Sequence, residues 1–194
     1  FKKYTKSFKK FFLEIILLIF DTFLLSVKKP SPRNTIAVIR LDAIGDFILY
    51  ISSLDLVPTQ YQKMRKALIC NELVFEIAKS LNIFDEIIPI NLKKFRSNFI
   101  YRKQIIKKVI ELKSKVAIQP TFSRSFFYGD SIIRATRADI KIGFNGDYIN
   151  QSKLIRNISD RWYTKLIKPE NTIKMEIERN HEFFEKVSNK KINF

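Results

Sequence analysis

The stretch Thr35-Ile36-Ala37-Val38-Ile39-Arg40-Leu41-Asp42-Ala43-Ile44-Gly45-Asp46-Phe47-Ile48-Leu49-Tyr50 decides how this chain is read. An apolar run from Ile36 to Ile39 stops at Arg40. A short polar turn follows, with Gly45 and Asp46 at its tip, and apolar residues then return at helical spacing. A short apolar run bounded by polar residues reads as a buried strand. Such a strand delivers its last side chains to the carboxyl edge of a sheet, where open α/β folds bind their ligands. The helix that begins there offers unpaired N–H groups to an anionic group.

Outward from this turn, strands and helices alternate. The pattern predicts strands at 35–41, Lys66–Cys70, Asp85–Ile90, Val116–Gln119 and Ile140–Phe144. Between them it predicts helices over about 46–64, 72–81, 97–114 and 124–136, the third carrying Ile100, Ile105, Ile106, Val109, Ile110 and Leu112 at apolar spacing. Repeated β-α units require a parallel sheet with right-handed crossovers. From about 150 the pattern is less regular. It holds Trp162 and Tyr163, read as cover for a sheet edge or as a sugar-stacking surface, then a helix from about 172 to 188.

The chain has 194 residues, of which 46% are hydrophobic and only 4 are Gly, which excludes disordered and collagen-like classes. Its formal charge of +17 favours a polyanion or an anionic surface: nucleic acid, acidic lipid or phosphorylated glycan. The single Cys70 excludes an internal disulfide framework, fits a reducing compartment, and reads as a buried strand thiol. No Cys/His cluster has metal-ligand spacing, and the lone His181 reads as a surface or packing residue.

Residues 1–32 read as a separate amphipathic helix and linker before a domain at 33–194. Lys2, Lys3, Lys6, Lys9 and Lys10 precede a mostly apolar run over 11–27, and Lys28, Lys29, Pro30 and Pro32 end it. Ser7, Glu14, Asp21 and Lys28 recur every seventh residue and form one narrow polar stripe on a helix otherwise covered by Phe, Leu and Ile. Two carboxylates make a bilayer span costly. A helix lying in an anionic membrane interface is expected, with packing on the domain or a partner subunit as the alternative. The basic run Lys93, Lys94, Arg96, Arg102, Lys103, Lys107, Lys108, Lys113 and Lys115 reads either as a solvated face or as a second membrane-orienting patch.

At Ala37-Val38-Ile39-Arg40-Leu41-Asp42-Ala43-Ile44-Gly45-Asp46 the sequence resembles the heptosyltransferase-like glycosyltransferases (glycosyltransferase family 9), which open with an apolar strand, a basic residue, a short turn and a Gly-Asp pair. Ile118-Gln119-Pro120 with Arg124-Ser125, and Ile142-Gly143-Phe144, are further matches in order. The family's usual Pro six residues after the Asp is Ser52 here. The resemblance covers about 34–190. It implies an α/β fold: a Rossmann-like parallel sheet with helices on both faces, the N-terminal half of a GT-B fold, preceded here by the amphipathic helix. The donor-binding half is expected to be missing and the chain to be a fragment.

The resemblance implies a sugar transfer from a nucleotide-sugar donor to a lipopolysaccharide-core or other lipid-linked saccharide acceptor, without metal or other cofactor. It places the protein in the cytoplasm, peripheral on the inner face of a bacterial cytoplasmic membrane. Inverting transfer needs a base for the acceptor hydroxyl, and the family's base maps to Asp46, with Gly45 allowing close approach. The competing reading of Asp46 is a helix N-cap. Arg40, Asp42, Gln119, Ser123 and Arg124 are the acceptor-binding candidates. Their competing roles are an ion pair between Arg40 and a turn carboxylate, turn or helix capping, and surface charge. The alternatives are a truncated non-catalytic member or a basic α/β binding module for an anionic glycan, membrane or nucleic acid. Nucleic acid is disfavoured because its motifs are absent. The turn also lacks the Gly-x-Gly-x-x-Gly of a dinucleotide site.

Overall fold

The computed structural model describes residues 2–188. Helix α1 (Lys2–Leu24) leads into β1 (Arg33–Arg40), α2 (Ile44–Ile51), a 3-10 turn at Leu54–Leu56, α3 (Thr59–Gln62), β2 (Arg65–Asn71), a 3-10 turn at Glu72–Val74, α4 (Phe75–Ser80) and β3 (Glu86–Ile90). The chain continues through α5 (Leu92–Ser97), α6 (Phe99–Glu111), β4 (Ser114–Gln119), a π-helical turn at Phe126–Asp130, α7 (Ser131–Thr136), β5 (Ile140–Phe144), α8 (Lys153–Asp160), β6 (Lys165–Ile167) and α9 (Glu176–Ser188).

The six strands pair in the order β3-β2-β1-β4-β5-β6, all parallel. The chain winds outward from β1 to β3, then crosses back to β4 on the other side of β1. The carboxyl ends of β1 and β4 therefore flank the crevice where the winding reverses. The strands alternate between two buried faces. Ile36 and Val38 join Phe47, Tyr50, Val74, Ala78, Phe183 and Phe184, so α2, α4 and α9 cover one side. Ala37 and Ile39 join Phe95, Ile105, Ile106, Val109, Ile132 and Ile133, so α5, α6 and α7 cover the other. The expected Rossmann-like sheet with helices on both faces is what forms.

Several expected boundaries shift, each for a local reason. The helix expected over 46–64 is broken into α2, which ends at Ile51, the 3-10 turn at Leu54–Leu56 and α3 at Thr59–Gln62, the last two parted at Val57. Pro58 holds Val57 extended (φ −55°, ψ 125°), as a residue before proline prefers. The helix expected over 97–114 is α6, Phe99–Glu111, preceded by an unexpected short α5, and the two are separated because Asn98 is extended and accepts a hydrogen bond from the Tyr101 N–H, capping α6. The segment near 124–136 begins as extended chain at Ser125 and becomes α-helical only from Ser131. The tail adds α8 and a sixth strand, which three residues of irregular pattern did not announce.

The basic run is not one solvated face. Arg102 is fully buried: Nε donates to Asp21 Oδ1 (2.7 Å) and Nη2 to Asp21 Oδ2 (2.5 Å) and Ser131 Oγ (2.5 Å). Cys70 is a buried strand thiol whose pKa burial pushes up to about 12, which leaves it protonated and inert.

At the far end of the sheet, Gly143 on β5 is fixed by Tyr163. A Cβ at Gly143 would collide with the Tyr163 ring, whose Cδ1 would lie 2.9 Å away. The Tyr163 hydroxyl meets Gln119 Oε1 and lies 2.7 Å from Asp130 Oδ1, while Arg124 stacks over the ring at 4.4 Å. Tyr163 thus packs over the face of β5, inside the sheet, and does not cover its edge. The Gly143→Ala variant should lose about 1–3 kcal/mol of stability through overpacking, read as a lower urea midpoint with unchanged m-value.

Candidate functional site

The site is built on Arg40, the last residue of β1. The side chain follows Ile36 and Val38 onto the α9 side of the sheet and is fully buried. A buried guanidinium must be paired. Its Nε lies 3.0 Å from Asp42 Oδ2 and its Nη2 lies 3.1 Å from Glu176 Oε1. Nη2 also donates to the Asp46 carbonyl and Nη1 to Asn180 Oδ1, both at 3.3 Å, and the group sits 4.8 Å from the Tyr50 ring centroid. Arg40 therefore positions its neighbours and does not itself face solvent.

Three carboxylates gather around this one cation. Asp42 is held by Arg40, by Thr121 Oγ1 at 3.3 Å, and through its carbonyl by Asn71 Nδ2. Glu176 starts α9 and is bound by Arg40. Burial, with added repulsion from Asp42 and Asp46, holds the Glu176 carboxyl above its usual range although Arg40 opposes the shift. Asp46 differs. It lies in the first turn of α2, half-buried, and its carboxylate makes no hydrogen bond or ion pair among the described residues. It is not the N-cap: that position is Ala43, which has no side chain to cap with.

Beside this cluster, between the ends of β1 and β4, lies a cleft of about 200 Å³ walled by Asp42, Gln119, Thr121, Ser123, Tyr128 and Asn150. Gln119 presents its amide to the cleft and is anchored behind by Tyr163. Ser123 Oγ donates to Asp147 Oδ2 at 2.7 Å. Gly45 is exposed, and a Cβ there would meet nothing within 4 Å. Arg124 lies below the site. It is fully buried against Asp130, Asp160 and the Tyr163 ring, so it braces the cleft floor. Of the sequence candidates, Asp42, Gln119 and Ser123 share the cleft wall, Gly45 and Asp46 stand on the adjoining helix start, and Arg40 and Arg124 support from beneath.

Sequence reasoning missed Glu176, Thr121 and Asn180. Glu176 and Asn180 lie 136 and 140 residues from Arg40. The only local hint was that α9 opens with acidic residues.

Sheet order and crevice together define a doubly wound, Rossmann-like α/β domain whose topological switch point lies between β1 and β4. No known family pattern and no curated protein matches the sequence. Solved structures do. The chain is similar to the E. coli heptosyltransferase WaaC with ADP: 12% identity, TM-score 0.61, over 81% of this chain and 48% of that one. WaaC with ADP-2-deoxy-2-fluoro heptose gives 12% and 0.60 over 81% and 49%. A glycosyl transferase of family 9 from Veillonella parvula gives 16% and 0.59 over 80% and 41%. What is shared is the fold, as the Gly-Asp turn led one to expect, and the chain spans about half the length of these proteins.

Replacing Arg40 by Met would leave three carboxylates around no cation. A carboxyl raised above its unfolded value favours the folded state at low pH and loses that contribution as pH rises through the folded value. The Arg40→Met variant should therefore lose about 3–5 kcal/mol near neutral pH and recover part of it at about pH 5. Urea unfolding at the two pH values checks this, and an equal loss at both would contradict it.

Proposed function

We propose that this chain is the acceptor-side half of an inverting glycosyltransferase and that Asp46 is its base. The observation that carries the reading is the contrast among the three carboxylates: Arg40 holds Asp42 and Glu176, while Asp46, one helical turn from the cleft loop, keeps its oxygens free. Asp46 accepts the proton of an acceptor hydroxyl as that oxygen attacks the anomeric carbon, and the nucleoside phosphate leaves from the opposite face. Asp42, Gln119 and Ser123 supply the fixed polar groups that orient hydroxyls of the acceptor.

The donor is a nucleotide-sugar brought by a second domain in the full-length protein. The likeness to a heptosyltransferase holding an ADP-linked heptose analogue supports that choice. A lipid-linked saccharide, of the lipopolysaccharide-core type, fits as acceptor because Asp42, Gln119, Thr121, Ser123 and Asn150 offer polar groups along the cleft wall and the chain is strongly basic.

Sugar transfer by the full-length protein tests the assignment. Asp46→Asn should reduce kcat by roughly 10²-fold or more with KM nearly unchanged; turnover within a few-fold of wild type would give the base to another group. Gly45→Ala separates folding from function. The new methyl meets no protein atom, so the variant should be as stable as wild type or more stable by up to about 1 kcal/mol, while kcat/KM falls because the methyl enters the acceptor's space.

A further inference from the structure

Helix α1 docks the opposite way from an ordinary amphipathic helix. Its polar stripe is the buried one. Glu14 and Asp21 are each only 4% exposed, with Leu17 at 1% between them. Asp21 is clamped by Arg102 and by Ser131, whose Oγ donates to Oδ2 at 2.6 Å. Further down, Arg134 donates to Thr22 Oγ1, Arg137 to the Val27 carbonyl, and Lys29 pairs with Asp139 at 2.5 Å. On the opposite side of the helix, one above another at helical spacing, Phe12, Ile19 and Phe23 are 57%, 64% and 75% exposed. Phe20 packs edge-on against Phe99 (4.9 Å), which carries the apolar surface onto α6 and the exposed Ile100.

Such a row of large apolar side chains on the outside requires an occupant. Charge chooses it. Both carboxylates of α1 are turned inward, and the residues that border the row are cationic. Lys103 and Lys107 follow Ile100 on the exposed side of α6, Lys28 is exposed at the end of the helix segment, and the sequence before Phe12 carries Lys2, Lys3, Lys6, Lys9 and Lys10. Among the described residues no helix is long and apolar enough to cross a membrane. An apolar ridge flanked by lysines, with both carboxylates of its own helix turned inward, matches an anionic lipid surface, with the ridge at the acyl boundary and the lysines at the headgroups.

We propose that the Phe12–Ile19–Phe23 face of α1, continued by Phe99 and Ile100, docks this protein on anionic lipid bilayers, and that the Asp21–Arg102–Ser131 cluster is the latch that fixes the helix in that orientation. The latch has a clear logic. A helix whose carboxylates pointed outward would repel the headgroups, and clamping them on a buried arginine removes that repulsion while pinning the apolar side outward. The segment from Asp21 to Lys29 runs from the start of α7 to the start of β5, that is, from the carboxyl edge of the sheet toward the opposite edge. The earlier turns of α1 therefore lie toward the edge that carries the cleft, where a lipid-linked acceptor would arrive.

Co-sedimentation of the full chain with phosphatidylcholine vesicles, with and without phosphatidylglycerol, tests this without any sugar donor, so its failure is separate from failure of the transferase reading. Wild type should bind the phosphatidylglycerol vesicles, less so as salt rises. The Ile19→Asp/Phe23→Asp variant should bind at least about tenfold more weakly, with an unchanged circular-dichroism spectrum and melting temperature, because both side chains are exposed. Ile173→Asp, exposed on a distant loop, should bind as wild type. Equal sedimentation of wild type and the double variant overturns the proposal. So does absence of vesicle binding together with a wild-type dimer that the double variant dissolves, which would assign the face to a second copy.

Discussion

A guanidinium buried at the end of the central strand organises this domain. Arg40 has no water to solvate it, so the fold must supply its partners, and it draws them from three places: the loop it opens (Asp42), the first turn of α2 (the Asp46 carbonyl) and the distant α9 (Glu176 and Asn180). Burying the charge is costly in itself, and breaking the cluster by removing one partner is costlier still. The result is a rigid end to β1, a C-terminal helix bound back to the first strand, and a loop held open beside a cleft. The geometry around Asp46 follows from satisfying Arg40.

The same device recurs away from the site. Arg102, Arg124 and Arg156 are, with Arg40, among the largest fully buried side chains. Arg102 joins α1 to α6 and α7 through Asp21 and Ser131. Arg124 and Arg156 meet on Asp160 and tie α8 to the loop after β4, while Tyr163 spans from Gly143 to Gln119. A chain with a formal charge of +17 thus spends several of its cations inside, as clamps between segments distant in sequence, and leaves most of its lysines outside. The division follows chemistry: a planar, weakly hydrated guanidinium forms several directed hydrogen bonds in a dry setting, and an ammonium does so less well.

Much of this was legible. Runs such as Ile36–Ile39 and Val116–Ile118 could only be strands buried on both faces, and their alternation with helices implied the parallel sheet. The turn at Asp42–Asp46 was legible as standing at the carboxyl edge of the sheet because strand ends and helix starts leave a sequence signature. The third match, Ile142-Gly143-Phe144, proved to have a packing cause, since only glycine leaves room for the Tyr163 ring. Less was legible where a partner lay far along the chain. Nothing near Glu176 announced Arg40, and nothing near Arg124 announced that Asp130 and Asp160 would draw it inward, away from the cleft. The breaks at Val57 and Asn98 were local effects of a following proline and an asparagine cap, hidden inside longer apolar periodicity.

By itself the sequence determined the order of the first five strands, the parallel sheet and the carboxyl edge at which the Gly45-Asp46 turn stands, because periodicity, turn residues and handed crossovers are local rules. It also determined that α1 has one polar stripe. Tertiary structure decided which way that stripe faces, which of three carboxylates stays free, and which arginines are inside. These choices rest on where buried charges find their counterions, and a counterion a hundred residues away leaves no mark in a local pattern.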